Sequence, residues 1–288
     1  MPASQKYDWY IINQQHPEHF KKTVEAYHHI IQNVAAVGRS YMESDPAKDL
    51  WADSLVWVPG LWRMAGKWVQ GSKPFRSSLS FKDFSIFLVD QKVNILGSFN
   101  MEGKSYYDAM IWLEEQIFSQ ELSSKNLSTE LPYEVPVYAG DNKKVFSKES
   151  APLGETVGGF YHDAFILLTA MKEEYPASTD ISIFPRHFDM EIKILLKETG
   201  EMATNTYVRL GFSPGGQFIQ EPHLYINSWP NLTQESLPSP PAESSWHHEN
   251  WVGLVLPLYS AIGKEDQHDF LLDFYKKGLA IFSAILLD

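Results

Sequence analysis

Residues 206–229 read TYVRLGFSPGGQFIQEPHLYINSW, and they carry the strongest strand pattern in the chain. Large apolar side chains recur in it at every second position: Val208, Leu210, Phe212, Leu224 and Ile226. That alternation is typical of β-strands with one buried face. Because a Gly- and Pro-containing string separates the two apolar segments, the stretch predicts two adjacent strands joined as a hairpin.

The opposite face of this predicted hairpin is polar and aromatic. It carries Tyr207, Arg209, His223, Tyr225 and Asn227. A face that combines aromatic surface with several hydrogen-bonding groups is what a ligand pocket uses to orient its ligand. A water-facing sheet carries long amphipathic side chains of the same kinds, so both interpretations stay open at this point.

The composition narrows the class of protein. The chain has 288 residues, of which 44% are hydrophobic, so it can bury a large core. Its 24 basic and 36 acidic residues give 24 − 36 = −12, and no basic stripe compensates for that charge. A phosphate backbone would be repelled, so we expect no nucleic-acid partner. The absence of cysteine excludes disulfides, thiolate nucleophiles and Cys-based zinc sites.

The sequence also bears on location. It contains no stretch of 18 or more apolar residues, so we expect no membrane partner. The first residues, MPASQKYDWYIINQQ, lack a basic segment followed by a continuous apolar one, which is the pattern of a secretory signal. A cytoplasmic location is therefore expected.

Helical and strand-like patterns follow one another along the chain. Apolar residues at three- and four-residue spacing predict helices over about 17–42, 105–121, 155–175 and 266–287, with β-type runs between the members of each pair. The fold class is therefore α+β, as two similar halves that share one core, each a helix, antiparallel strands and a helix. We expect one globular unit over 1–288, with halves 1–130 and 150–288 and an irregular connector over 122–154.

The two halves also share a local detail. Tyr27-His28 and Tyr161-His162 occupy comparable places early in the first helix of each half. This favours an internal duplication, although two segments of similar composition also match by chance. If the halves are related by a pseudo-two-fold axis, His28 and His162 could face each other. The alternative is that both are core-edge histidines bound to backbone groups.

Two further stretches carry polar residues. His187, Asp189 and Glu191 alternate with apolar residues, which places them on one strand face, and we favour a solvated face over a site there. The Pro- and Ser-rich segment NLTQESLPSPPAESS over 231–245 predicts a surface loop that ends at Trp246 and His247.

The chain resembles a bacterial family described only as a domain of unknown function. The residues that carry the resemblance are His28, Gln32, Gly38, Arg39, Trp246, His247, Gly253, Leu256 and Pro257. The matching segments are AYHHIIQNVAAVGR, GGFYHDAF, GFSPGGQF with EPHLYINSWP, and WHHENWVGLVLPL, and they extend over most of the chain. The resemblance implies a common fold and no particular activity.

No phosphate-binding loop, nucleophile elbow or HExxH motif is present. The leading hypothesis is a small-molecule binding protein with a pocket between the sheet and the 229–249 loop. Its expected ligand-binding residues are Tyr207, Arg209, His223, Tyr225, Asn227, Trp246, His247, His28 and His162.

Two alternatives to small-molecule binding also fit the sequence. One is a metal-dependent enzyme that takes three ligands from a set of histidines and glutamates: His28, His162, His223, His247, His248, Glu221 and Glu249. The other is a noncatalytic interaction or oligomerising protein, which a large exposed apolar patch would favour. The sequence gives neither the oligomeric state nor a cofactor.

Overall fold

The computed structural model describes residues 17–44, 51–123, 125–135, 143–200, 204–216, 218–233 and 237–287. The predicted mixture of helices and antiparallel strands is confirmed in these residues. Contacts divide the described chain into two compact units. The first unit comprises the described parts of His16–Gly158 with Ser182–Phe188, and the second comprises those of Gly159–Ile181 with Asp189–Asp288.

The first unit contains two helices and an antiparallel sheet. The helices are α1 (Pro17–Tyr41) and α2 (Tyr106–Ser119). The larger strands are β1 (Leu55–Val58), β2 (Arg63–Gly66), β3 (Phe75–Ser80), β4 (Ser85–Asp90) and β5 (Ile95–Asn100), and β8 (Ser182–Phe184) pairs with β1. Their order is β8-β1-β2-β3-β4-β5. Two short strands, β6 (Lys104–Ser105) and β7 (Val145–Phe146), form a separate pair.

The middle of α1 is buried on nearly every side. Small residues make this possible, and Gly38 is the clearest case because a Cβ there would lie 1.9 Å from the carbonyl oxygen of Ala52. The chain after α1 therefore passes directly against the helix backbone. The same burial draws in polar side chains such as Gln32 and Asn33, which must find partners inside the unit.

Ser105 fixes the start of α2. Its hydroxyl accepts from the Asp108 backbone N–H at 3.2 Å, and the Asp108 carboxylate accepts from the Ser105 backbone N–H at 2.8 Å. This reciprocal arrangement is a capping box. The helix then buries Tyr106, Met110, Leu113 and Ile117, which recur at the spacing of one helical face.

The second unit contains most of α3 (Gly154–Glu174), all of α4 (Gln267–Leu287) and five strands. The strands are β9 (Asp189–Lys197), β10 (Thr206–Ser213), β11 (His223–Trp229), β12 (Ser245–His247) and β13 (Gly253–Pro257). They are antiparallel and lie in the order β12-β13-β11-β10-β9. The element order predicted from sequence is confirmed, whereas descent from a duplication stays a prediction.

The hairpin predicted over residues 206–229 is present. Strands β10 and β11 pair with Arg209 opposite Asn227 and Gly211 opposite Tyr225. On the apolar face, the Phe212 ring contacts Tyr161 of α3 edge to face at 5.2 Å. Helix α4 approaches the same face so closely that a Cβ on Gly278 would lie 2.1 Å from a methyl carbon of Ile226. The apolar face is thus covered by helices, and the polar face is the other side.

Two stretches predicted to be irregular contain ordered elements. The predicted loop over 231–245 ends in β12, which pairs with β13. Within the predicted connector over 122–154, Tyr133 donates a hydrogen bond to the side chain of Gln32, and Val145–Phe146 forms β7. The described residues of this predicted connector belong to the first unit.

Candidate functional site

The polar face of the β9-β10-β11 strands carries a connected cluster of charged and aromatic side chains. Its members are Asp189, Glu191, Tyr207, Arg209, Tyr225 and Asn227, and we call this set the polar row. Four of the six were predicted as ligand-binding residues from the alternation in 206–229. The two carboxylic acids were not.

Arg209 lies at the centre of the polar row. One terminal nitrogen, Nη2, donates to the Tyr207 hydroxyl at 3.0 Å, and the other, Nη1, donates to Asn227 Oδ1 at 3.2 Å. Its Nε lies 3.7 Å from a carboxylate oxygen of Glu191, which is an ion pair but too long for a hydrogen bond. A guanidinium has five N–H groups, so three of them remain outside these two hydrogen bonds.

Two cations lie close to the Tyr207 ring. The Arg209 guanidinium carbon is 5.0 Å from the ring centroid, and the Lys193 ammonium nitrogen is 5.7 Å from it. Both distances fall within the range of cation–π attraction. The half-buried edge of the polar row is therefore positively charged, although the whole chain carries −12.

Tyr225 joins the two acids of the polar row. Its hydroxyl lies 2.5 Å from Asp189 Oδ2 and 3.0 Å from Glu191 Oε2. One hydroxyl proton can be donated to only one carboxylate at a time. When the other acid is protonated, it can donate to the tyrosine oxygen, so the trio is fully hydrogen-bonded when it holds one additional proton.

Burial favours that additional proton. It raises the pKa of Asp189 to about 6, against the lowering effect of the Tyr225 hydrogen bond. It also raises the pKa of Glu191 to about 7, and the Asp189 charge adds to the rise. Two neighbouring acids titrate as a pair, so these values belong to the pair. The proton-rich form is therefore populated close to neutral pH.

The solvated-face interpretation of the 187–193 stretch was wrong for the two acids. Glu191 is 8% exposed and Asp189 is half-buried, because β10 and β11 place Arg209 and Tyr225 beside them. Alternation had put both acids on one face, but the pairing of β9 with β10 decides what that face meets. Register between distant strands is not readable from alternation alone.

His223 adjoins the polar row at its β11 end. Its ring centroid is 6.4 Å from that of Tyr225, and its Nδ1 donates to the Glu221 carbonyl at 2.7 Å. Burial lowers the pKa of His223 to about 4, so the ring is neutral at pH 7. Since a carbonyl only accepts, the Nδ1–H tautomer is required and Nε2 carries the lone pair.

Trp251 connects His247 to this end of the polar row. The two rings are 4.5 Å apart between centroids, and the Trp251 ring is 6.1 Å from that of Tyr225. His247 Nε2 donates to the Glu249 carbonyl at 2.7 Å. The sequence predicted His247 only as the end of a loop. In the structure it lies in strand β12 and packs against Trp251 near the polar row.

Three predicted site residues lie elsewhere. Trp246 contacts Phe282 of α4, which packs on the apolar face, and its Nε1 donates to the Pro238 carbonyl. His162 is a half-buried residue of α3, next to the Tyr161 that packs on the apolar face.

His28 belongs to the first unit. Its Nε2 donates to the Pro185 carbonyl at 2.8 Å, and its ring stacks on Phe188 at 5.1 Å. This is the alternative weighed from the sequence, a core-edge histidine bound to a backbone group.

Within the described ranges, no group of three or more His, Asp or Glu side chains is placed to hold a metal ion. Nor does any described helix have the length and apolar character needed to cross a membrane. Three of the histidines considered as metal ligands, His28, His223 and His247, are hydrogen-bonded to carbonyl oxygens.

Comparison with family models, curated proteins and solved structures found no match to this chain.

Proposed function

We propose that this protein binds a small anionic molecule at the polar row of the second unit. The observation that carries the proposal is Arg209, which has three N–H groups outside its hydrogen bonds and a side chain that is 25% exposed. A fixed guanidinium with open donors is suited to a carboxylate or phosphate. Tyr207 and Asn227 hold its orientation, which reduces the entropy lost on binding.

The acids beside Arg209 define a second part of the ligand. Glu191 and Asp189 share a proton with Tyr225 near neutral pH, so they can accept a hydrogen bond from a ligand or donate one to it. A hydroxyl or amine next to the anionic group matches that pair. Small hydroxy acids, amino acids and phosphorylated sugars have this combination.

The remaining walls are aromatic. The Tyr207 ring lies beside the Arg209 guanidinium, and Tyr225, whose hydroxyl is bonded to Glu191, packs against Trp251. The neutral His223 supplies an acceptor through Nε2. A few fixed polar groups between aromatic surfaces is the usual make-up of a small-molecule site.

Thermal unfolding of the full chain, followed by tryptophan fluorescence, tests the proposal. The compounds are small hydroxy acids, amino acids and sugar phosphates, each beside its uncharged amide or unphosphorylated form. A ligand at about 100 times its Kd stabilises the folded state by about 2.7 kcal/mol. We expect anionic compounds to raise the Tm, and Arg209→Met to abolish the rise.

Lys172→Met is the matched control. It removes one positive charge from the second unit, and the Lys172 ammonium contacts Asp180 and the Thr179 carbonyl, neither of which belongs to the polar row. We expect this variant to keep the ligand-induced rise in Tm. If no anion stabilises the wild-type chain, or if Arg209→Met responds like Lys172→Met, the polar row is not the binding site.

A further inference from the structure

Arg39 of α1 is a half-buried cation with few partners. Its Nη1 lies 3.4 Å from the Tyr133 hydroxyl and its Nη2 lies 3.5 Å from the Gln32 carbonyl, both at the outer limit of a hydrogen bond. Its Nε is buried and has no hydrogen-bond partner. In the described part of the chain, no carboxylate oxygen forms an ion pair with it. Its situation differs from that of Arg209, which has two shorter hydrogen bonds and an ion pair.

Two fully buried side chains nearby also have unfilled polar atoms. Asn33 and Tyr106 are both 0% exposed. Asn33 Nδ2 donates to the Tyr106 carbonyl at 3.0 Å, which fixes the orientation of the amide, and its Oδ1 then has no partner. The Tyr106 hydroxyl has none either.

The residues that carry the unfilled atoms are linked to one another within the first unit. Arg39 folds back along α1 so that its guanidinium reaches the carbonyl of Gln32, the residue before Asn33. Asn33 in turn contacts Tyr106 at the start of α2. Burial raises the pKa of Tyr106, and the Arg39 charge opposes that rise, which agrees with their proximity.

Gln32, which precedes Asn33 in the chain, has both its side-chain nitrogen and its side-chain oxygen hydrogen-bonded. Gln32 donates to the carbonyls of His28 and Pro185 and accepts from Tyr133. Leaving a buried polar group without a partner costs free energy, so such groups in folded proteins mark a bound molecule, ordered water or a functional site. Arg39 and Tyr133 are only half-buried, and they provide the side from which a molecule could enter.

We propose that Arg39, Tyr106 and Asn33 form a second binding site, for a small carboxylate that carries a hydrogen-bond donor on the adjacent carbon. The Arg39 Nε–H and the Tyr106 hydroxyl donate to the carboxylate. Asn33 Oδ1 accepts from the neighbouring hydroxyl or ammonium group of the ligand. The two open donors and one open acceptor thus match a 2-hydroxy or 2-amino acid.

Tyr106→Phe is the decisive variant. It removes only a hydroxyl that makes no hydrogen bond, so the free protein should be as stable as wild type or slightly more stable. Tyr27→Phe is the matched control in the same unit, because the Tyr27 hydroxyl is buried but donates to the Phe81 carbonyl at 3.3 Å. Its loss should lower stability and leave this site intact.

Calorimetric titration of the full chain with glycolate, acetate and inorganic phosphate measures the site. All titrations are repeated in the Arg209→Met background, so that binding at the polar row does not contribute. We expect glycolate to bind more tightly than acetate, since only glycolate has a donor for Asn33. We expect Tyr106→Phe to weaken glycolate binding by roughly tenfold or more, the effect of losing a hydrogen bond to a charged group.

Three results would overturn this site. Glycolate binding that is unchanged in both Tyr106→Phe and Arg39→Met would place the ligand elsewhere. Equal affinities for acetate and glycolate would remove the role of Asn33. An absence of binding by all three probes, with a crystal structure showing ordered water on the three open atoms, would assign them to hydration. None of these results bears on ligand binding at Arg209, which is tested by its own variant.

Discussion

The phenol ring of Tyr225 lies directly over the α-carbon of Gly211 on the neighbouring strand. The two residues are paired in the register of β10 and β11, and a Cβ on Gly211 would lie 2.2 Å from Tyr225 Cζ and 2.4 Å from its hydroxyl oxygen. Only glycine leaves room for the ring in this position. The missing side chain therefore sets the place of the hydroxyl that joins Asp189 and Glu191.

Gly211→Ala should displace Tyr225 and open the polar row. The added methyl cannot share space with the ring, so the ring must rotate and its hydroxyl must leave the two acids. Overpacking of this kind costs about 1–3 kcal/mol. Urea unfolding of the purified variant gives the loss in free energy of unfolding.

A double-mutant cycle identifies the cause. In a Tyr225→Ala background the ring is absent, so Gly211→Ala should cost much less than it does in wild type. An equal cost in both backgrounds would show that the methyl group clashes with something other than Tyr225.

The response of stability to pH combines two opposing sets of groups. Asp189 and Glu191 have folded pKa values of about 6 and about 7, above their usual values near 4. Their contribution to the free energy of unfolding therefore falls as pH rises from about 4 to 7. His28 and His223 are neutral when folded, with pKa values of about 4 against a usual 6.5. Their contribution rises with pH from about 4 to 6.5.

Glu191→Gln should therefore make stability increase more steeply with pH between 4.5 and 6.5. Removal of one group that takes up a proton on folding changes the slope by at most about 1.4 kcal/mol per pH unit. His223→Gln should shift the slope in the opposite direction. Urea unfolding at a series of pH values measures both, with the exposed Glu173→Gln as control. Parallel pH profiles for wild type and Glu191→Gln would contradict the raised pKa.

Local patterns predicted the elements well because their cause is local. Period-two alternation in 206–229 reported which side of the hairpin is apolar, and the structure buries that side beneath helices. The apolar stripe of α2 was less well predicted. Tyr107, Ile111 and Phe118 fit the same three- and four-residue spacing that predicted the helix, but each is more than 40% exposed. The helix has more apolar residues than one face can bury, so composition alone did not show which stripe faces the sheet.

The polar row needed information that no single segment holds. Asp189 and Glu191 become part of it only because β9 pairs with β10 in one register. Trp246 and His247 are adjacent in sequence, but they point to opposite sides of β12, and only His247 lies near the row. The glycine at 211, the one residue without a side chain in a polar and aromatic row, was the available signal for close approach.

Ser105→Ala should destabilise the first unit through α2. The substitution removes the side-chain half of the capping box and leaves the Asp108 backbone N–H without its partner. Loss of such a cap costs about 1 kcal/mol, within a range of about 0.5–2. Ser119→Ala, at the other end of α2 and exposed, is the matched control and should have little effect. If both substitutions cost the same in urea unfolding, the cap does not stabilise the helix.

Gln32→Glu should strongly lower the free energy of unfolding, although the two side chains have almost the same size. The Gln32 amide nitrogen donates to two carbonyl oxygens, those of His28 at 3.0 Å and Pro185 at 2.7 Å. A carboxylate oxygen in its place would face both carbonyls as a third acceptor in a fully buried position. An uncompensated buried charge of this kind costs about 3–5 kcal/mol.

The penalty should shrink as pH falls, because the introduced carboxyl group, once protonated, could donate to Pro185 as the amide does. Gln91→Glu makes the same chemical change at an exposed turn and should leave stability within about 0.5 kcal/mol of wild type. Urea unfolding at pH 5 and pH 8 measures both variants. If Gln32→Glu matches Gln91→Glu at pH 8, the Gln32 side chain does not hold Pro185 against α1.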